Sequence, residues 1–321
     1  METTNLDIII IGAGPIGIAC ALECQKRNWN YLVIEKGALT NSLFNYPLNM
    51  TFFSTSQKLE IDNIPFISNN PKPTRNEALE YYRRIATSNE MNIRLFEKVT
   101  EVKSDSAIKE VITTKGSYKA KNVVVATGFY DIPNYIGVQG EELPKVAHYY
   151  DDPHYYATQK TIVVGASNSA VDAALEIYRK GGDVTMIVRA EDIGPRVKYW
   201  VRPDIVNRIE EGSIKAHFNA SIKEIKENEV IVQTQDGEVH IENDFVLLLT
   251  GYRPNFEFLN KIGISLKDES KRIPMYDENT METNIPGIYL AGVICGGMET
   301  HKWFIENSRI HAKLIVANIV G

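Results

Sequence analysis

Cysteine is scarce in this chain: Cys20, Cys24 and Cys295 are the only three in 321 residues. Their spacing forms neither a disulfide framework nor a metal-ligand set, so a stapled secreted fold and a structural metal are not expected. Long apolar runs are missing too, and the N-terminus lacks the basic-then-apolar pattern of a secretory leader, so the expectation is a cytoplasmic chain with no membrane partner. The formal sequons at Asn49 and Asn219 then read as chance. Basic excess is absent, and a net charge of −6 gives no reason to expect nucleic acid as a partner. What remains, 44% hydrophobic and 24% charged residues, is the composition of a soluble globular protein of one large domain or two ordinary ones.

Two glycine turns stand out against this background. In the first, the β-branched run Asp7-Ile8-Ile9-Ile10-Ile11 enters Gly12-Ala13-Gly14-Pro15-Ile16-Gly17, a helical pattern follows over 15–28, and Tyr31-Leu32-Val33-Ile34 ends in Glu35. That is a complete βαβ unit. Gly12 allows the tight turn, Gly14 lets a pyrophosphate approach the backbone, and Gly17 lets the helix pack on the strand. The helix N-terminus offers N–H groups and a positive dipole end to the phosphates, and Glu35 is placed to accept bonds from ribose hydroxyls. In the second, Thr161-Ile162-Val163-Val164 enters Gly165-Ala166-Ser167-Asn168-Ser169-Ala170, and Val184–Val188 ends in Arg189. Ser167 and Asn168 are expected to cap the helix and bond phosphate oxygens. An acid after this strand would repel a 2′-phosphate, whereas Arg189 can bind one bidentately; Lys198 and Arg196 either add charge there or are solvated surface bases. The first unit therefore suits a nucleotide with a free ribose and the second suits NADPH.

Strands alternating with helices give an α/β fold of two Rossmann-like, three-layer, mostly parallel-sheet domains, the second inserted in the first. The expected boundaries are 1–128, 129–253 and 254–321. The irregular stretch 37–73 is too long to be a spare connection. A helix is expected from Arg75 to Asn89 and another from about Phe304 to Ile319.

These features resemble the two-dinucleotide flavoprotein reductases, in particular their low-molecular-weight thioredoxin-reductase-like branch. The shared marks are the first glycine motif with Glu35, Ala126-Thr127-Gly128, the internal second motif and Ala291-Gly292. Several segments are more narrowly similar to the YpdA-type bacillithiol disulfide reductases, among them Asn49–Thr55, Lys72-Pro73-Thr74-Arg75, Phe129-Tyr130-Asp131, Asn168–Glu176 and Phe304-Ile305-Glu306-Asn307. The resemblance implies FAD held by Gly12, Gly14, Pro15, Ile16, Gly17, Glu35, Lys36, Thr127, Gly128, Gly292 and Val293. It implies NADPH held by Gly165, Ser167, Asn168, Ser169, Arg189 and Lys198. The implied activity passes a hydride from NADPH to FAD and the electrons on to a low-molecular-weight disulfide or another small acceptor.

Three departures matter. Thioredoxin reductases carry a Cys-x-x-Cys-Asp shortly before the second motif, where this chain has His148, Asp151 and Asp152, so a dithiol relay is excluded. Members of the YpdA type often carry a cysteine in the first glycine loop, where this chain has Ile16, so a thiol's part in catalysis stays open. Val293 stands where thioredoxin reductases place an acid.

The catalytic residues are not fixed by the sequence. Cys295 follows the Ala291-Gly292 segment and is either a reactive thiol or a small packing residue. His148 and His154 flank an acidic, aromatic turn, and such a histidine is either a proton donor or a loop histidine bonded to Asp151 or Asp152; His301 and His311 are weaker candidates. Phe44, Tyr46, Phe52 and Phe53 either cover a flavin ring or pack a core. A flavin monooxygenase and a non-catalytic flavin redox sensor share the same nucleotide motifs and stay open as alternatives. A homodimer is the default expectation for such a chain.

Overall fold

The computed structural model describes residues 6–104 and 106–321, and the chain divides into two compact units. The first holds the chain up to Asn45, Met50–Ile132 and Tyr252–Gly321; the second holds Tyr46–Asn49 and Pro133–Gly251.

The first unit is built on a seven-stranded sheet. Its centre is Leu6–Ile11, whose isoleucines are buried on both faces, so the strand reads as an unbroken apolar run. It runs parallel to Tyr31–Ile34 on one side and to Ser117–Val125 on the other. The long strand Ser117–Val125 then serves two neighbours along its other edge: Lys109–Thr113 antiparallel at its start, and Ile288–Leu290 parallel at its end. Three parallel strands therefore finish together at Ile11, Val125 and Leu290, each leading directly into a glycine-containing turn.

Helix Pro15–Gln25 begins on a proline, which supplies a helical φ where no N–H is needed, and it packs against helix His311–Val320. Helix Arg75–Ser88 opens with a capping box, Thr74 accepting from the Glu77 N–H while Glu77 accepts from the Thr74 N–H. This helix pins the irregular stretch that precedes it. The Arg75 guanidinium donates to the carbonyls of Leu43 and Phe44, and the hydroxyls of Tyr81 and Tyr82 donate to Ile64 and Leu59. The expected single C-terminal helix is instead two pieces, Ile305–Ser308 and His311–Val320. The Ser308 hydroxyl bonds back to the Phe304 carbonyl, and the Arg309 guanidinium reaches across to the Glu60 carbonyl.

The second unit carries a fully parallel five-stranded sheet in the order Lys215–His217, Asp183–Ile187, Lys160–Val164, Phe245–Leu248, Val146–Ala147. Successive residues of Lys160–Val164 face opposite sides. Val163 joins the core beneath helix Asn168–Arg179, while Ile162 and Val164 join the core shared with the antiparallel meander Ser221–Ile225, Glu229–Thr234 and Gly237–Glu242. Among the described residues no helix is long and apolar enough to cross a membrane.

Candidate functional site

At the first glycine turn the backbone leaves no room for side chains at two positions. A Cβ on Gly12, where φ is +110°, would lie 2.5 Å from the Ala126 carbonyl oxygen, and one on Gly17 would lie 1.8 Å from the Gly12 carbonyl oxygen. Gly14 is different: nothing lies within 4 Å of its missing Cβ, so its exposed face is the open side of the turn. Gly14 caps helix Pro15–Gln25 without any side-chain bond, so the first N–H groups are left for a ligand.

Glu35 closes the unit from the next strand. Its Oε2 accepts from the Ala13 N–H at 2.9 Å and its Oε1 from the Gly37 N–H at 3.0 Å, so the carboxylate is oriented while each oxygen keeps further acceptor capacity. Burial raises its pKa, and the two backbone N–H groups oppose that rise. In the turn after strand Ser117–Val125, the Thr127 hydroxyl is buried with no hydrogen-bond partner among the described residues, and Gly128 adopts φ of +72°. An uncapped helix end, an open glycine, an oriented acid and an orphaned hydroxyl together fit a dinucleotide. Lys36 differs from its expected role, because its ammonium is held by Asp131 at 2.6 Å.

The third strand contributes Gly292, whose N–H donates to His311 Nδ1 at 3.1 Å. The missing Cβ of Gly292, at φ of +87°, points at the Ile16 side chain, 3.3 Å away. Ile16, the position that often carries a thiol in the YpdA type, is thus a packing residue between the first and last segments of the site. Val293 begins the short turn Val293–Gly296 and is half-buried.

His311 was a weak candidate by sequence, yet it touches the site through Gly292 and also lies 3.8 Å from Cys295 Sγ and edge-on to Trp303. Burial pushes its pKa down to about 4, with Lys302 acting in the same direction. The imidazole is therefore neutral, as accepting from Gly292 requires. The folded-state pKa lies below the unfolded one, so this contribution to stability is complete above about pH 6.5 and is lost as the pH falls toward 4. The total is roughly 3 kcal/mol. Urea unfolding of the wild type between pH 7 and 4 should show this loss, and His311→Gln should show a visibly flatter profile.

Cys295 is fully buried, and burial pushes its thiol pKa far up, which suits packing and not nucleophilic chemistry. Cys20 and Cys24 are buried on helix Pro15–Gln25, and all three thiols are free. The aromatic group splits: Phe52 is buried, while Phe44 and Phe53 are exposed beside Arg75 and Lys72.

In the second unit the glycine turn is looser. A Cβ on Gly165 would meet the Leu249 carbonyl oxygen at 2.6 Å, but Ala170 occupies the last position of the motif with its methyl group accommodated in the core. The expected capping does not occur. Ser167 makes no side-chain cap, and the Asn168 amide turns away to residues 196–198, accepting from the Lys198 N–H at 2.8 Å and donating to the Arg196 carbonyl at 3.2 Å. Ser169 is half-buried in the first turn of the helix.

The three bases separate. Arg189 and Arg196 are exposed, and among the described residues neither has an ion-pair partner, whereas Lys198 is buried and paired with Asp172 at 2.7 Å. Lys198 is thus not a free phosphate ligand, because a neutralising carboxylate already holds it.

His148 sits beside an acid and an aromatic ring. Its Nε2 lies 3.7 Å from Glu141 Oε1, and its ring stands edge-on to Tyr135. Burial lowers its pKa, and Glu141 opposes that shift.

This arrangement is that of a two-unit, dinucleotide-binding α/β oxidoreductase. The chain matches the pyridine nucleotide-disulphide oxidoreductase family over residues 9–292 and belongs to that family. It is 42% identical to the bacilliredoxin reductase Bdr of Bacillus subtilis over 97% of this chain and 96% of that one. Among solved structures it is similar to the bacillithiol disulfide reductase Bdr (YpdA) of Bacillus cereus, with 44% identity and a TM-score of 0.95 over 98% of this chain and 99% of that one. The Staphylococcus aureus counterpart gives 38% identity and a TM-score of 0.96 over 99% and 98%. The protein is an enzyme, a flavin-dependent oxidoreductase that uses FAD and a pyridine nucleotide.

Proposed function

We propose that the chain is an NADPH-dependent reductase of bacillithiol disulfide that works without a thiol of its own. FAD belongs to the first unit, at Gly12–Gly17 with Glu35, Thr127, Gly128 and Gly292, and NADPH to the second, at Gly165–Ser169 with Arg189. FAD held there would supply the hydride acceptance and electron delivery that link NADPH to an acceptor. The protein's own residues hold the nucleotides: the two uncapped helix ends take the phosphates and Glu35 takes a ribose.

The observation that carries the reading is the burial of Cys20, Cys24 and Cys295, with Ile16 in the first glycine loop. Among the described residues no thiol is placed to form a mixed disulfide, so a disulfide acceptor must be reduced by the flavin itself. Bacillithiol disulfide is favoured by the names of the B. cereus and S. aureus relatives. The B. subtilis relative's name points instead to bacilliredoxin. A cytoplasmic location suits an NADPH-consuming disulfide reductase.

The test is anaerobic reduction of the holoenzyme with NADPH, followed by bacillithiol disulfide, bacilliredoxin or oxygen in separate mixings. Bleaching by NADPH and rapid recovery with bacillithiol disulfide is the expected outcome. Recovery with oxygen alone, through a hydroperoxyflavin, would identify a monooxygenase; negligible bleaching would identify a sensor.

A further inference from the structure

The segment from Ile193 to Arg202, which follows the exposed loop after Arg189, is fastened to helix Asn168–Arg179 and its glycine turn at several points. Ile193 and Val197 are buried in the core beneath the helix. The Gly194 N–H donates to the Ala166 carbonyl at 3.0 Å, an approach close enough that a Cβ on Gly194 would stand 2.8 Å from that oxygen. Asn168, the first residue of the helix, brackets the segment through both ends of its amide. Asp172 lies one turn further on the same helix face and holds the Lys198 ammonium. Arg202 closes the segment on itself through Asp192.

Chemistry fixes the Asn168 amide in one orientation: its oxygen must face the Lys198 N–H and its nitrogen the Arg196 carbonyl. The backbone of Arg196 is thereby anchored to the first residue of a helix whose N-terminus is uncapped, while its guanidinium is exposed and without an ion-pair partner among the described residues. The acid Asp172 neutralises the neighbouring base, so of Arg196 and Lys198 only the Arg196 guanidinium, on an anchored backbone, is left without an ion-pair partner among the described residues.

We propose that Asn168 and the Asp172–Lys198 pair are positioning residues that set selectivity for a 2′-phosphorylated nucleotide, by holding the 193–202 segment so that Arg196 supplies a second guanidinium beside Arg189. This rests on the assignment of NADPH to the second unit. An asparagine in the glycine turn then acts as a fastener of the selectivity loop, and the lysine acts through its carboxylate partner.

Equilibrium titration of the holoenzyme with 2′,5′-ADP and with 5′-AMP tests it. Asn168→Ala loses two bonds to the segment, so it is expected to weaken 2′,5′-ADP binding about tenfold more than it weakens 5′-AMP binding. Asn168→Asp keeps one arm of the bracket and should fall between. Asp172→Asn and Lys198→Met should each weaken 2′,5′-ADP selectively, and the double variant should be no worse than either single. A Lys198 that bound phosphate itself would reverse one sign: Asp172→Asn would tighten 2′,5′-ADP binding while Lys198→Met weakened it, and that result overturns the proposal. So does loss of preference in Arg189→Ala with preference intact in the Asn168 and Asp172 variants, which leaves the NADPH assignment standing. A wild type that binds both probes equally overturns the assignment and the proposal together.

Discussion

Gly17→Ala is expected to yield protein that retains little or no flavin. The added methyl carbon would stand 1.8 Å from the Gly12 carbonyl oxygen and 3.0 Å from its carbon, and both are backbone atoms that no rotamer change can move aside. Gly12 cannot retreat, because its own Cα faces the Ala126 carbonyl across the sheet. The helix start must therefore lift off the strand, at an overpacking cost of about 1–3 kcal/mol or more, and the N–H groups aimed at the pyrophosphate move with it. Gly14→Ala separates the two effects. Nothing lies within 4 Å of its new methyl group in the protein, so thermal stability of the apoprotein should be unchanged while flavin affinity falls. The flavin-to-protein absorbance ratio after purification, read beside a thermal melt, distinguishes the two variants.

Arg189→Ala is expected to weaken NADPH binding by about tenfold to a hundredfold and to leave NADH binding nearly unchanged, the range expected for losing charge-assisted bonds to a phosphate. Arg189 ends the strand Asp183–Ile187 and its extension, is exposed, and has no ion-pair partner among the described residues, so its removal leaves no buried charge behind. The effect should appear in KM for NADPH with kcat little altered, because the 2′-phosphate is remote from the reacting nicotinamide. Equal losses for both nucleotides would show that Arg189 is structural.

The glycine turns were legible in the sequence because their constraints are local. Gly12, Gly17 and Gly165 answer to backbone atoms of the same turn or the next strand, and any chain that builds the turn needs them. The fold class followed from the same pattern, since β-branched runs ending in glycine mark buried parallel strands. What the sequence did not display were roles assigned by packing between distant segments. Lys198 and Arg196 are both bases near the second motif, and only the fold shows that Asp172 claims Lys198. His311 meets Gly292 because helix His311–Val320 docks against helix Pro15–Gln25, and nothing in its local sequence announces that contact. At the break, the Arg309 guanidinium meets the carbonyl of Glu60, far away in the chain.

The central claim is that electrons pass from NADPH through the flavin to a small disulfide without any thiol of the protein. Its most direct test is the holoenzyme carrying Cys20→Ala, Cys24→Ala and Cys295→Ala together, reduced anaerobically with NADPH and mixed with bacillithiol disulfide while flavin absorbance is followed. All three side chains are small and buried, so the variant should fold and bind FAD. Recovery of the oxidised flavin spectrum at the wild-type rate, with release of free bacillithiol, is the predicted result. A flavin that bleaches with NADPH yet stays reduced when the disulfide is added would contradict it and return a catalytic role to one of those cysteines.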